Sequence, residues 1–431
     1  MPHAPCPRRL LLAGLLVLPA ALSGGVLAPA SAAGADEPAQ LTFPDDVPTV
    51  DGSDPGAPSG LPAGWSRTSL GTEATRYLAY GRTLDGSTVH VAAATPGASV
   101  DGAEGFTLVL KTPDGDSCAQ SSESRSDGDR GMVVVSLSAG PADPEATTDP
   151  TSSAEACADA STLLVELRRS TSTGVTGEAD VWFRVVEEAA VVDTDGLPAP
   201  ERAPSESSVD VSGEAEDRPG SADIATAPLI GTGIWRGTVP AGGQVAYRVR
   251  LGEGQTAHAE LVSPTLSDDE ASAVGYSASL RLSITSPMLS AQRMVNDSAS
   301  LSSSQPARAQ AAAGPVSYLN RYDTTAGPTL AGEYLVVIRL DPIDADGFDA
   351  RPYTLRLRVD GEAAPLERTS SPTYLAGDEA GDVVPLGFTD PESADASSTV
   401  RYVAGGALVA VGLVLAAGGG LLIRRQAVAS R

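Results

Sequence analysis

Between residues 61 and 361 apolar and polar positions alternate in short runs, and Gly, Pro, Asp or Ser interrupts each run. A period of two marks half-buried strands, and no stretch there keeps the period of an amphipathic helix. The pattern predicts strands at 76–83, 88–94, 106–111, 132–137, 162–168 and 180–186, then at 233–239, 244–251, 256–262, 278–285, 332–340 and 353–359. Six strands per block, with turn residues between them, predict an all-β chain of two tandem antiparallel β-sandwich domains, at 61–192 and 226–361.

The stretches around the blocks lack a sustained apolar period and are rich in Pro, Asp, Gly, Ala and Ser. They predict a disordered lead-in at 33–60, a disordered linker at 193–225 and a flexible stalk at 362–401.

Both ends are apolar. Arg8 and Arg9 precede an uncharged run that closes on Ala30, Ser31 and Ala32, the layout of an export signal over 1–32. Residues 402–423 form an uncharged run of Val, Ala, Gly and Leu between Arg401 and the pair Arg424 and Arg425. That run is long enough to span a bilayer, and the basic tail at 424–431 belongs in the cytoplasm by the positive-inside rule. The expectation is a single-pass cell-membrane protein, N-terminus outside, with one C-terminal transmembrane helix as its membrane contact.

Two of the three histidines lie in related phrases, DGSTVHVAA from Asp85 and EGQTAHAEL from Glu253. The blocks also agree in the interval from Trp65 to Tyr77 and from Trp235 to Tyr247, and in the pairs LLVELR with YLVVIR and VWFRVV with TLRLRV. Order and spacing of this kind mark a tandem duplication. His90 and His258 are then one structural position used twice. No repeated acid or nucleophile accompanies them in the sequence, so neither is assigned a chemical role. Trp65 and Trp235, recurring at one place, are expected to pack in the two cores.

The second block reads GIWRGTVPAGGQVAYRVRLGEGQTAHAELVSP, followed much later by LAGEYLVVIRL and PYTLRLRV. It resembles the bacterial pre-peptidase C-terminal domain family through Gly237 to Gly243, Tyr247, Leu251, Gly254, Gln255, Thr256, Gly332 and Tyr334. That resemblance implies a jelly-roll-like sandwich serving as an accessory module on secreted and surface proteins, some of which bind polymers or calcium. The first block departs from the pattern in its key turn and lacks the Gly-x-Tyr strand. Residues 316–334 resemble a stretch of exported actinobacterial proteins.

Composition narrows the function. There are 29 basic and 55 acidic residues, a net charge of −26, which opposes nucleic acid and anionic headgroups as partners. Cleavage of the signal removes Cys6 and leaves Cys118 and Cys157, an even count in an exported chain, so one disulfide is expected. No serine-nucleophile elbow is present, and a disulfide leaves no thiolate for catalysis. Asp341, Asp344, Asp346 and Asp349 crowd one loop with Gly347, but the spacing is not that of an EF-hand, and calcium binding stays open beside an ordinary solvated turn. No cofactor, metal or catalytic residue is assigned. The stretch 286–315 is too long for a plain hairpin and reads as an insertion, where partner recognition and disorder fit equally.

The leading expectation is a non-enzymatic surface protein displaying two binding or scaffolding modules, with a protein or a cell-wall polymer as its partner. An accessory subunit of an exported enzyme or secretion complex comes second, and an extracellular hydrolase third.

Overall fold

The computed structural model describes residues 40–369, apart from 98–101, 127–128, 130, 142–151, 195–196, 205–208, 275–277, 342–347, 349 and 365. The expected export signal, transmembrane helix and cytoplasmic tail lie outside the described residues. So do Asp344, Asp346 and Asp349.

The first sandwich is built from β1 (Ser59–Gly60), β2 (Gly64–Leu70), β3 (Thr75–Gly81), β4 (Thr88–Thr95), β5 (Glu104–Lys111), β6 (Ser117–Arg125), β7 (Val133–Ala139), β8 (Thr162–Thr171) and β9 (Ala179–Glu188), with helix α1 (Ser152–Asp159) before β8. The second comprises β10 (Glu216–Asp217), β11 (Gly233–Pro240), β12 (Gln244–Leu251), β13 (Thr256–Ser263), β14 (Ser279–Thr285), β15 (Asp297–Ser300), β16 (Ala307–Ala313), β17 (Gly332–Leu340) and β18 (Ala350–Asp360), with helix α2 (Asp268–Val274) after β13.

Strand order repeats between them. The first sandwich has sheets β1-β3-β8-β5-β6 and β2-β9-β4-β7, and the second has β12-β17-β14-β15 and β10-β11-β18-β13-β16. Apart from the short parallel strands β1 and β10, the two orders map strand for strand, as a duplication requires. The register agrees at the histidines. His90 lies opposite Ser138 and Val186, and His258 lies opposite Ala312 and Arg358. Gly86 and Gly254 occupy the turn before each histidine strand, both with positive φ, which a side chain would strain.

Each sandwich closes on its own core. Leu78, Leu108, Leu167, Val91, Phe183 and Val185 fill the first, and Tyr247, Tyr334, Leu282, Ile338, Leu261 and Leu357 fill the second. A third apolar cluster, with Ala94, Trp182, Leu335 and Val337, joins the outward face of β2-β9-β4-β7 to the outward face of β12-β17-β14-β15. The result is a stack of four sheets, two inner and two outer. The described residues accordingly fall in one compact unit. β4, β9 and β17 lie in the inner sheets and are buried on both sides, so their sequences run apolar with little alternation.

The lead-in and the linker differ from the expectation of disorder. Leu41 and Phe43 are buried in the seam between the sandwiches, beside Ile224 from the linker and Ala227 just after it. Phe43 stacks on Trp182 with ring centroids 5.2 Å apart. These segments also close open strand edges: Val50 N donates to Arg67 O, Ala246 N to Ser221 O and Arg248 N to Pro228 O, while β1 and β10 flank β3 and β11. Covering bare edges prevents strand addition from outside. Composition hid this because a strap needs only a few apolar anchors among its prolines.

Two further expectations change. Residues 286–315 are not an insertion, since they contain β15 and β16 of the sandwich itself; Ser and Ala give those strands little β-propensity. β6, with sequence SCAQSSESR, escaped notice for the same reason.

Candidate functional site

The seam brings together side chains that are far apart in sequence. β4 contributes Thr88 and His90, the end of β9 contributes Glu188, the 3-10 turn Tyr318–Tyr322 contributes Arg321, and the segment after β18 contributes Arg368. Glu188 is 1% exposed and lies at the centre. Its carboxylate accepts from Arg321 Nη2 at 2.8 Å and contacts His90 Nε2 at 3.1 Å and Arg368 Nη1 at 3.0 Å. Arg321 also donates to Thr88 Oγ1 at 2.8 Å, and its guanidinium lies 3.5 Å from the centroid of the Tyr318 ring.

Burial opposes ionisation of Glu188, but the Arg321 charge, the His90 contact and Arg368 outweigh it and hold the carboxyl well below the usual carboxylate range. Arg321 shifts the other way: burial lowers its pKa, and the facing Glu188 more than restores it. With Glu188 accepting, the imidazole proton of His90 sits on Nε2. One carboxylate thus ties the last strand of the first sandwich to a turn and a tail of the second.

Glu253 lies close to this cluster and is 2% exposed. It accepts from Tyr318 N at 2.9 and 3.1 Å. Burial raises its pKa, the Tyr318 and Ser317 hydrogen bonds pull it down, and repulsion from Glu188 pushes it up again. Glu187 has a different task. Tyr80 Oη, Thr83, Leu84 N and Ser87 Oγ all donate to it, which pins the β3–β4 turn.

The two histidines do not share a site. His90 lines a crevice at the seam, whereas His258 Nε2 lies 3.4 Å from Asp360 on the second outer sheet. Burial, and then the Arg358 charge, lower the His258 pKa against the pull of Asp360. The expectation that no acid repeats with the histidines is overturned. Glu188 lies opposite Thr88 and Asp360 opposite Thr256, so a histidine–carboxylate pair occurs at one position in both copies. A separation of 98 residues between His90 and Glu188 concealed the pair in the sequence.

Trp65 and Trp235 are not equivalent either. Arg184 faces Ala92 and Arg356 faces Glu260, which makes Arg184 and Arg356 counterparts; Trp65 lies opposite Arg184, but Ile234 lies opposite Arg356. Trp65 therefore points out of its sandwich into the seam, 5.9 Å from Phe43 and beneath the Arg184 guanidinium. Trp235 packs against the second core. The tyrosines shift in the same way: Leu78, not Tyr77, enters the first core where Tyr247 enters the second.

Cys118 on β6 is bonded to Cys157 on α1, with Cα atoms 5.6 Å apart, as the sequence predicts. Asp341 is engaged in ion pairs, with Arg281 Nε at 3.1 Å and Arg339 Nη2 at 3.6 Å, and accepts from Ser279 Oγ. Among the described residues no cluster of His, Cys, Asp and Glu has metal-binding geometry.

Two adjoining crevices follow the seam. One, of about 650 Å³, runs between β7 and the outward face of β14 and β17; Asp129 and Arg339 bridge it from opposite sandwiches at 2.8 Å. The other, of about 570 Å³, is lined by His90, Ser138, Arg321 and Tyr322.

No family model matches the chain, and no curated relative does. Among solved structures, the tandem CBM22 domains of Paenibacillus barcinonensis Xyn10C are 12% identical over 69% of this chain and 86% of that one, with a TM-score of 0.18. The broad bean stain virus structure is 9% identical over 70% and 81%, with a TM-score of 0.18. The CUB1-EGF-CUB2 segment of human MASP-1/3 is 9% identical over 68% and 99%, with a TM-score of 0.15.

Proposed function

We propose that the chain is a non-enzymatic display protein of the cell surface, in which two duplicated β-sandwiches, joined in one compact unit, are held outside the membrane as a binding or scaffolding module. The fusion carries this reading. Glu188, Arg321, Arg368, the Phe43 and Trp182 stack and the straps at 40–50 and 221–230 all serve to keep the sandwiches in one orientation. Ionisable groups at the seam are committed to that task, with carboxylate and cation paired across it. A fixed pair of modules presents a composite surface that neither could present alone, and preorganisation of this kind favours binding.

Export through 1–32, a stalk formed by the part of 362–401 that follows the docked Arg368, and anchoring through 402–423 complete the proposal, and the disulfide suits an oxidising compartment. The resemblance of the second block to the pre-peptidase C-terminal domain supports an accessory rather than a catalytic role. The topology is tested by placing one epitope tag after residue 33 and another at residue 431, then treating intact cells with protease. Loss of the first tag with survival of the second is expected. Survival of both on intact cells rejects a surface location.

A further inference from the structure

The two seam crevices share Ser290 and Gln292 as a common wall, so together they make one open trough across both sandwiches. Its cations are already engaged within the protein, while Glu123 accepts from Gln292 Nε2 at 3.4 Å and Asp297 accepts from Gln310 N at 3.3 Å. Asp129 is paired with Arg339, Arg281 with Asp341, Arg125 with Glu104 and Arg321 with Glu188, and Arg293 donates to Asn320 O at 2.8 Å. An anionic ligand would have to break one of these pairs and would meet the Glu123 and Asp297 carboxylates. A neutral ligand meets hydroxyls and amides instead.

Thr285 gives the specific pointer. It lies on the floor of the larger crevice, on the outward face of β14, and is 4% exposed; its hydroxyl oxygen is enclosed and has no hydrogen-bond partner. Native folds rarely leave such a group unmatched, and a partner arriving from outside is one reason to keep it. Ser283 and Gln292 stand with it along the same crevice. In the adjoining crevice Met288, Met294 and Tyr322 add apolar surface, suited to the C–H faces of a sugar ring.

We propose that the trough binds a neutral, polyhydroxylated oligomer: a glycan strand laid across the seam, with the crevice wall over Thr285 giving way so that its enclosed hydroxyl bonds the ligand at its centre. The proposal deepens the display reading and rests on it. The open, elongated form suits a polymer segment better than a small enclosed molecule.

The test titrates the full-length protein in detergent with cellohexaose and chitohexaose, and in parallel with an oligogalacturonate, reading saturation-transfer NMR and calorimetry. A neutral hexasaccharide should bind. Thr285→Val should weaken that binding about tenfold while raising the melting temperature, because the methyl group removes an unmatched buried hydroxyl. Arg236→Ala, on the far outer sheet, should leave binding unchanged. Unchanged affinity in Thr285→Val, or binding of the oligogalacturonate without either neutral oligomer, overturns the glycan site and leaves the display reading standing. Failure of the display reading itself would appear in the protease test.

Discussion

Ala92 and Glu260 stand at the same position of the same strand in the two sandwiches: Ala92 faces Arg184, and Glu260 faces Arg356. Ala92 is walled in at the seam beside Val186, Met288 and Leu330. Glu260 sits on an outer sheet, in ion pairs of 3.0 Å with Arg308 and with Arg356. The neighbours change with it. Val134 corresponds to Arg308 and Val186 to Arg358, so these three positions of the duplicated face are apolar where a second sandwich covers them and charged on the outer sheet, while the facing arginine, Arg184 or Arg356, is present in both copies.

It follows that Ala92→Glu should destabilise the protein by several kcal/mol, because the longer side chain would have to fit among Val186, Met288 and Leu330 in the closed seam, where even a pair with the facing Arg184 would be fully desolvated. Glu260→Ala should cost about 1 kcal/mol or less, since both arginine partners remain largely hydrated. Urea unfolding of the two variants beside wild type checks the contrast. Equal losses would refute the assignment of covered and open faces.

Glu188 makes the seam sensitive to acid. Its folded pKa lies below the unfolded value of 4.5, so its stabilising contribution is complete above that value and is lost as pH falls through the range beneath it. In that window the unfolded chain binds the extra proton, so acid favours unfolding. Glu188→Gln should cost about 3–5 kcal/mol at neutral pH, because Arg321 and Arg368 lose their counter-charge. The variant should also show a flatter decline below pH 4.5 than wild type. Identical acid limbs would assign the titration to other carboxyls.

Glu253 has the opposite sign. Its folded pKa is raised, so the folded state binds the extra proton, and ionisation of this group weakens the fold as pH rises through the folded pKa. Glu253→Gln keeps an oxygen to accept from Tyr318 N and removes the charge near Glu188. A higher melting temperature at neutral pH is expected, with the advantage shrinking as the solution is acidified and the wild-type carboxyl becomes protonated. A lower melting temperature at neutral pH would mean that the carboxylate stabilises the turn.

The sequence carried the all-β, antiparallel class and the disulfide, because alternation and cysteine parity are local signals. It misled where one residue of phase mattered. Trp65 and Trp235 keep the same interval to Tyr77 and Tyr247, yet both members of the first pair are shifted by one position, and a shift of one moves a strand residue to the other face. The pairing of His90 with Glu188, and the anchoring of the straps by Leu41 and Phe43, depend on contacts between distant segments, which no window of sequence contains.

The disulfide allows one more quantitative expectation. It closes a loop spanning 39 positions, for which the chain-entropy model gives about 4 kcal/mol of stabilisation. Helix α1 has a second tether, because Arg82 donates to Cys157 O at 2.9 Å and also to Ala158 O. Replacing both cysteines by serine should therefore lower the urea midpoint while the remaining fold unfolds in one transition and α1 stays docked. Adding Arg82→Ala to that variant should free the helix, seen as rapid amide exchange confined to 152–159. If the cysteine replacement alone exposes those amides, the bond and not the guanidinium holds α1 against the sheet.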